Sequence, residues 1–199
     1  MSKNLPSLLE IEALHRKYAS SQKVFDLIYG HCQIVEEMAL WCCQNSNLVV
    51  DQNLLSVSAL LHDIGSYVFF DDQAKSLNSR LYPLHAILGA KIISDEGLDE
   101  KISSIIETHI LTGLTKQEIK QYNWSLPIKD YLPQTIEAQI VAYADCFHSK
   151  KPIFNSFDFY FFNLDKDLPL QAKNFKIFAD KFGIPDVKSL AKKYHQPIR

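Results

Sequence analysis

Six side chains could do chemistry together: His31, His62, Asp63, His85, His109 and Asp145. The most telling stretch is Leu60-Leu61-His62-Asp63-Ile64-Gly65, where an apolar run over 54–61 delivers a neutral nitrogen and a carboxylate side by side. Adjacent side chains on a helix diverge by about 100°, so one cation in the crook of a helix end can be gripped by both. An ionised Asp at a helix C-terminus sits against the dipole and, here, an apolar wall; it needs a partner, and a cation is one. Asp145 stands where the stripe Ile140, Val141, Ala144 calls for an apolar residue, so it must be paired, protonated or metal-bound. His31 lies inside the stripe Val24, Leu27, Ile28, Ile34, Val35, Met38 and Trp41. Each residue alone has an ordinary reading as a core histidine or a helix-end acid. Buried together and unpaired they would be strongly destabilising, whereas coordination to a structural zinc contributes roughly 10–16 kcal/mol. Histidine and carboxylate without cysteine favour Fe, Mn, Zn, Ni or Co over a thiolate site.

Helices must position these groups. Periodicity predicts helices over 8–19, with His15 a partly exposed surface histidine, and over 22–44, followed by a polar turn at Asn45-Ser46-Asn47. Asp51 caps the third helix and Gly65 stops it. Asp71 and Asp72 read as a solvated turn, and 74–80 as an exposed loop. Pro83 at N1 opens a fourth helix that Gly97 ends. Asp99 caps a fifth, with His109 at its end, and Gly113 breaks the chain again. Thr115-x-x-Glu118 is a capping box for a short helix to about Tyr122. After an irregular 122–133, a long helix is expected from 134 to about 149, closed by Lys150 and Lys151, with His148 at its rim. The Phe- and Tyr-rich stretch 152–168 has no clear helical period and reads as a lid over the site or an arm on a second subunit. Helices near 170–182 and 185–195 finish the chain, with His195 exposed. The expectation is an all-α fold of about eight helices, a single domain over 1–199 with its core at about 20–150 and a helical extension over 151–199.

The 199 residues suffice for one substantial core. With 47% hydrophobic and 22% charged residues and a net charge of −2, the chain gives no reason to expect a nucleic-acid duplex or membrane partner. Residues 1–6 lack the apolar run of a signal peptide. Cys32, Cys42, Cys43 and Cys146 form no C-x-x-C pair and read as reduced thiols of a cytoplasmic protein.

The order H…HD…H…H…D, with the helix Val141-Ala142-Tyr143-Ala144-Asp145, resembles the HD-domain superfamily of metal-dependent phosphohydrolases over roughly 20–150. The resemblance implies that His31, His62, Asp63 and Asp145 hold one metal, and that His85 and His109 belong to the subgroup holding two. His85-Ala86-x-x-Gly89-Ala90 also looks like the subgroup that includes bacterial diadenosine-polyphosphate hydrolases. The stretch His109-Ile110-Leu111-Thr112-Gly113 departs from the His-His or His-Thr-x-x-Gly of some relatives, which bears on the pocket beside the second metal and on the substrate. The implied chemistry is hydrolysis of a nucleotide or other small phosphate ester by a hydroxide bridging two divalent ions, with Asp63 as bridge and His85 and His109 completing the catalytic set. Arg80, Lys116, Lys150 and Lys151 are candidate phosphate contacts, with plain solvated charge the alternative for each; Thr112 and Gly113 offer a backbone turn to substrate. Two other readings stay open: a mixed-valent di-iron centre that activates oxygen, and a metal-dependent binding module without turnover. A homodimer is also open.

Overall fold

The structure is a computed structural model that describes residues 5–199, so the signal-peptide reading falls largely outside the described residues. Ser7 opens α1 (Leu8–Tyr18) with a capping box to Glu10. Ser21 caps α2 (Gln22–Asn45), the longest helix. Asp51 caps α3 (Gln52–Leu61) through the Leu54 N–H, as its position predicts. The chain does not stop at Gly65. It tightens into a 3₁₀ segment, Ile64–Phe69. A second 3₁₀ turn, Tyr82–Leu84, carries Pro83 and leads into α4 (His85–Asp95), which Gly97 ends at φ 72°. Asp99 caps α5 (Glu100–Glu107), and Thr115 and Glu118 form the expected capping box on α6 (Lys116–Gln121).

Three expectations fail beyond this point. The helix α7 (Ile136–Asp145) ends at Asp145, not near 149. The chain then turns into a two-stranded antiparallel hairpin, β1 (His148–Ser149) and β2 (Ile153–Phe154). Pro152 disfavours helix at Lys151, and Asn155 collects the freed backbone: its N–H donates to Phe147 O at 2.9 Å and its side-chain amide to Cys146 O at 2.8 Å. Lys150 and Lys151 therefore sit at a hairpin tip and close no helix. The aromatic stretch is helical after all, as α8 (Phe157–Asp167), with Ser156 as cap. Its aromatic residues surround it, with Phe162 exposed, while Phe157 and Phe161 stack 5.8 Å apart and Phe157 stacks on Phe175 at 5.2 Å. It packs on α9 (Pro169–Phe182), and α10 (Val187–Tyr194) follows. The described residues thus form ten α-helices, two more than expected, and one small hairpin.

The fold is all-α around one large core. The helices α2, α3 and α7 pack together, α4 lies on α5 and on the 64–69 segment, and Phe175 and Phe182 of α9 are buried in the same core. No helix among the described residues is long and apolar enough to cross a membrane. His15 is not a surface residue. It is wholly buried, with Nε2 donating to Leu60 O at 2.8 Å and Nδ1 accepting from the Tyr67 hydroxyl at 2.8 Å. Burial pushes its pKa down to about 4, so it spans α1 and the end of α3 as a neutral ring.

Gly65 matters for close approach. A Cβ there would overlap His85 O and Gly89 N and come within 2.9 Å of Gly89 Cα, so α4 can lie on the 64–69 segment only over a bare backbone. Gly65→Ala should push α4 away and cost about 3 kcal/mol. Urea denaturation would read this directly; a midpoint unchanged from wild type would refute it.

Candidate metal centre

Each group of the cluster arrives on a different element. His31 comes from the middle of α2, and His62 and Asp63 from the end of α3. His85 opens α4, His109 follows α5, and Asp145 ends α7. The four histidines and Asp63 are buried, and the Asp145 side chain is one-fifth exposed. Their ligand-type atoms fall into two groups, each with all members within 4.8 Å: His31, His62, Asp63 and Asp145, and then Asp63, His85 and His109. Asp63 serves both. Its Oδ2 lies 3.2 Å from His31 Nε2 and 3.4 Å from His62 Nε2, while Oδ1 lies 3.3 Å from His85 Nε2 and 3.8 Å from His109 Nε2. Asp145 Oδ1 is 2.9 Å from His31 Nε2 and 3.5 Å from His62 Nε2.

Local backbone sets the tautomers. His62 Nδ1 meets Ala59 O at 2.7 Å, His85 Nδ1 meets Tyr82 O at 2.7 Å, and His109 Nδ1 meets Ile106 O at 2.6 Å. A carbonyl only accepts, so each Nδ1 carries a proton, and each ring in its neutral form turns an Nε2 lone pair inward. His85 Nε2 and His109 Nε2 then face each other at 2.9 Å beside a carboxylate oxygen, three acceptors converging on one point. Converging acceptors in a buried site repel unless a cation lies among them, and the donor set fits a divalent ion of the imidazole- and carboxylate-binding kind.

At the first group the protein supplies its own cation. Asp63 Oδ2 has no regularly directed hydrogen bond but a charge contact, with Lys150 Nζ at 2.5 Å; the same ammonium is 3.8 Å from Asp145 Oδ1. Burial by itself would raise both carboxyl pKa values, but Lys150 foremost, with the charge of His62, outweighs it at Asp63 and at Asp145, so both are held well below the usual range. Burial opposes charge on His62 too, yet Asp63 keeps its pKa well above the ordinary value. His62 and Lys150 thus balance the two carboxylates. At the second group burial dominates: His85 is pushed down to about 4 and His109 to about 3, the latter helped by His85 and His62. Ser66 Oγ donates to Asp63 Oδ1 at 2.8 Å and lies 3.0 Å from the Tyr82 hydroxyl, and the Tyr82 ring stacks on His85 at 4.5 Å.

Of the five residues considered for substrate contact, Lys150 is the one whose charge touches the cluster among the described residues. Arg80, Lys116 and Lys151 are exposed. Thr112 is committed elsewhere: its N–H and hydroxyl donate to Gln171 Oε1 at 3.1 and 2.6 Å, and the Gln171 amide donates to Gly113 O and Glu118 Oε1, both at 2.7 Å. This buried knot ties α9 to the turn after His109, where Leu111 takes φ 55°. His148 is no rim residue. It is buried, its ring stacks on His31 at 5.0 Å, and burial drives it to about 3. Its position three residues after Asp145, one helical turn on, was the available signal.

The proton balance gives a test. His62 holds a proton above its ordinary pKa of 6.5 and must release it to bind an ion, so affinity at the His31–His62–Asp145 group should climb about tenfold per pH unit below that raised pKa. His85 and His109 are unprotonated from about pH 5 upward, so their group should show no such slope. Calorimetric Mn²⁺ titrations between about pH 6 and 8, in buffers of different ionisation enthalpy, should find one proton-releasing event and one without. Equal slopes would refute the division.

An HD-domain family model matches residues 28–150. Two tRNA (cytidine(56)-2′-O)-methyltransferases are similar, from Thermoplasma volcanium (36% identical over 129 residues, 65% of this chain and 32% of that protein) and Picrophilus torridus (36% over 135 residues, 68% and 35%). An uncharacterised protein of Methanocaldococcus jannaschii is 40% identical over 122 residues, 59% of this chain and 64% of that one. The chain therefore spans about a third of the length of the two methyltransferases and just under two-thirds of the M. jannaschii protein. Among solved structures, the HD domain of the L. monocytogenes phosphodiesterase PgpH shares the fold, with a TM-score of 0.58 at 18% identity over 93% of this chain and 99% of that one. The same domain in complex with cyclic-di-AMP gives 0.57 at 20% identity over 96% and 100%. A family match across more than half of the sequence, on a helical frame of the same kind, makes this chain a member of the HD-domain family.

Proposed function

We propose that this protein is a metal-dependent phosphohydrolase acting on a nucleotide or other small phosphate ester. The observation that carries the reading is the pair of acceptor groups sharing Asp63, one oxygen to each, with a lysine ammonium beside them. His31, His62, Asp63 and Asp145 would hold one divalent ion, and Asp63, His85 and His109 a second. Such ions lower the pKa of a coordinated water and polarise phosphoryl oxygens. The chain's own residues do the rest. Ser66 fixes the Asp63 carboxylate so that each oxygen faces one group. Lys150, at the hairpin tip, exchanges its contact with Asp63 for a phosphate oxygen and neutralises the charge that builds there. The Tyr82 ring, stacked on His85, gives a flat apolar wall beside the reacting centre.

Nucleotide preference rests on the phosphate chemistry and on the fold shared with a domain solved with cyclic-di-AMP. The methyltransferase names belong to proteins about two-thirds of which lie outside the shared segment, and a nest of acceptors around a carboxylate suits phosphoryl rather than methyl transfer. Four buried, unbridged thiols support a cytoplasmic setting.

Two measurements test the proposal. Protein loaded with Mn²⁺, Fe²⁺, Co²⁺ or Ni²⁺ should release phosphate or nucleoside monophosphate from at least one member of a panel of nucleotides and model phosphodiesters. Turnover with none of them refutes a hydrolase, and oxygen uptake by the iron form would favour oxygen activation instead. Lys150→Met should bind Mn²⁺ at least as tightly as wild type, because a competing ammonium is gone, while kcat falls about 100-fold. An unchanged kcat would remove Lys150 from the chemistry.

A further inference from the structure

Three of the cluster histidines are oriented by their own backbone, each through a carbonyl three residues earlier. His31 cannot be. It lies mid-helix, where the carbonyls are spent on the helix itself. Its Nδ1 instead faces His148 Nδ1 at 2.7 Å, a side chain 117 residues away, and His148 Nε2 faces Gln196 Oε1 at 2.7 Å.

We infer that His148 and Gln196 are positioning residues that set the tautomer of His31 from outside its helix. The direction follows from donors and acceptors. Gln196 Oε1 accepts, so His148 carries its proton on Nε2 and offers an Nδ1 lone pair. His31 then donates from Nδ1 and keeps its Nε2 lone pair for the cluster. If the Gln196 amide turned over and donated, each proton would move along by one place. His31 would bring an N–H to the cluster and cease to be a ligand. Asp145 Oδ1, 2.9 Å from His31 Nε2, rewards a proton there, so the acceptor at Gln196 is what favours the ligating form.

Gln196 belongs to a tail that is itself built in. Its N–H caps α10 on Ala191 O at 3.0 Å. Residues 197–199 run alongside β2: Phe154 N donates to Pro197 O at 2.9 Å, Arg199 N to Phe154 O at 3.0 Å and Ser156 N to Arg199 O at 2.8 Å. Seating of this strand on the hairpin therefore governs one metal group. The Asp63–His85–His109 group, fixed on its own carbonyls, is indifferent to it.

The inference rests on reading the cluster as metal-holding, and the experiment separates the two. In the full chain loaded with Zn²⁺ and ¹⁵N-labelled at histidine, long-range ¹⁵N–¹H spectra should show His148 protonated on Nε2 and His31 on Nδ1. Gln196→Glu, an acceptor only, should bind two Mn²⁺ ions within about threefold of wild type. Gln196→Met, with no acceptor, should lose roughly 10–100-fold at one site and nothing at the other. Both substitutions lie at the surface end of the relay, and thermal melting should be unchanged. The inference is overturned if His148 carries its proton on Nδ1, if Gln196→Met binds as wild type at both sites, or if Gln196→Glu is as weak as Gln196→Met. A wild-type protein that binds no ion overturns the metal reading, and this inference with it. A wild type that binds two ions beside indifferent variants overturns this inference alone.

Discussion

A fully buried carboxylate has to be neutralised, and Asp63 sets that condition for the whole molecule. It ends an apolar helix, so its charge cannot be hydrated, and the surroundings must bring charge to it. They do so from both directions along the chain: His62 beside it and Lys150 from after it supply the charge, while His31, His85 and His109 bring ring nitrogens to the same carboxylate. The second carboxylate, Asp145, faces the same two cations, His62 and Lys150. Much of the architecture, from the packing of α2 on α3 and α7 to the hairpin after α7, brings those nitrogens within reach of two carboxylates.

The arrangement is also rigid where rigidity is useful. The 64–69 segment and α4 meet backbone to backbone at Gly65 and Gly89, which fixes His85 relative to Asp63. His15 ties α1 to the last turn of α3, just ahead of His62. Burying a neutral imidazole there satisfies a helix-end carbonyl that would otherwise lack a partner.

How much of this could be read from the sequence depends on how far apart the interacting groups lie in it. The Asp51, Asp99 and Thr115 caps were legible because a cap and its helix are neighbours. His62 and Asp63 were legible because they are adjacent, and Asp145 because it interrupts an apolar stripe. His15 was misread because its partners, Leu60 O and the Tyr67 hydroxyl, are 45 and 52 residues away. His148 was misread because it stands beside Ser149, Lys150 and Lys151, while the partners that bury it, His31 and Gln196, are 117 and 48 residues away. The helix α8 was missed because its aromatic residues lie all round it, so no single face stands out, and its order comes from stacking on Phe175 of the next helix. The helical frame needed only local pattern; the residues behind the cluster needed tertiary contacts.

The knot around Gln171 has a consequence for how such proteins diversify. The family match ends at residue 150, yet Gln171 reaches back from beyond that limit to clasp Thr112, Gly113 and Glu118 behind His109. Descendants of a common ancestor could keep every imidazole and carboxylate of the cluster and still drift apart in chemistry. A change at Gln171, outside the matched segment, would be enough to shift the loop carrying one of them.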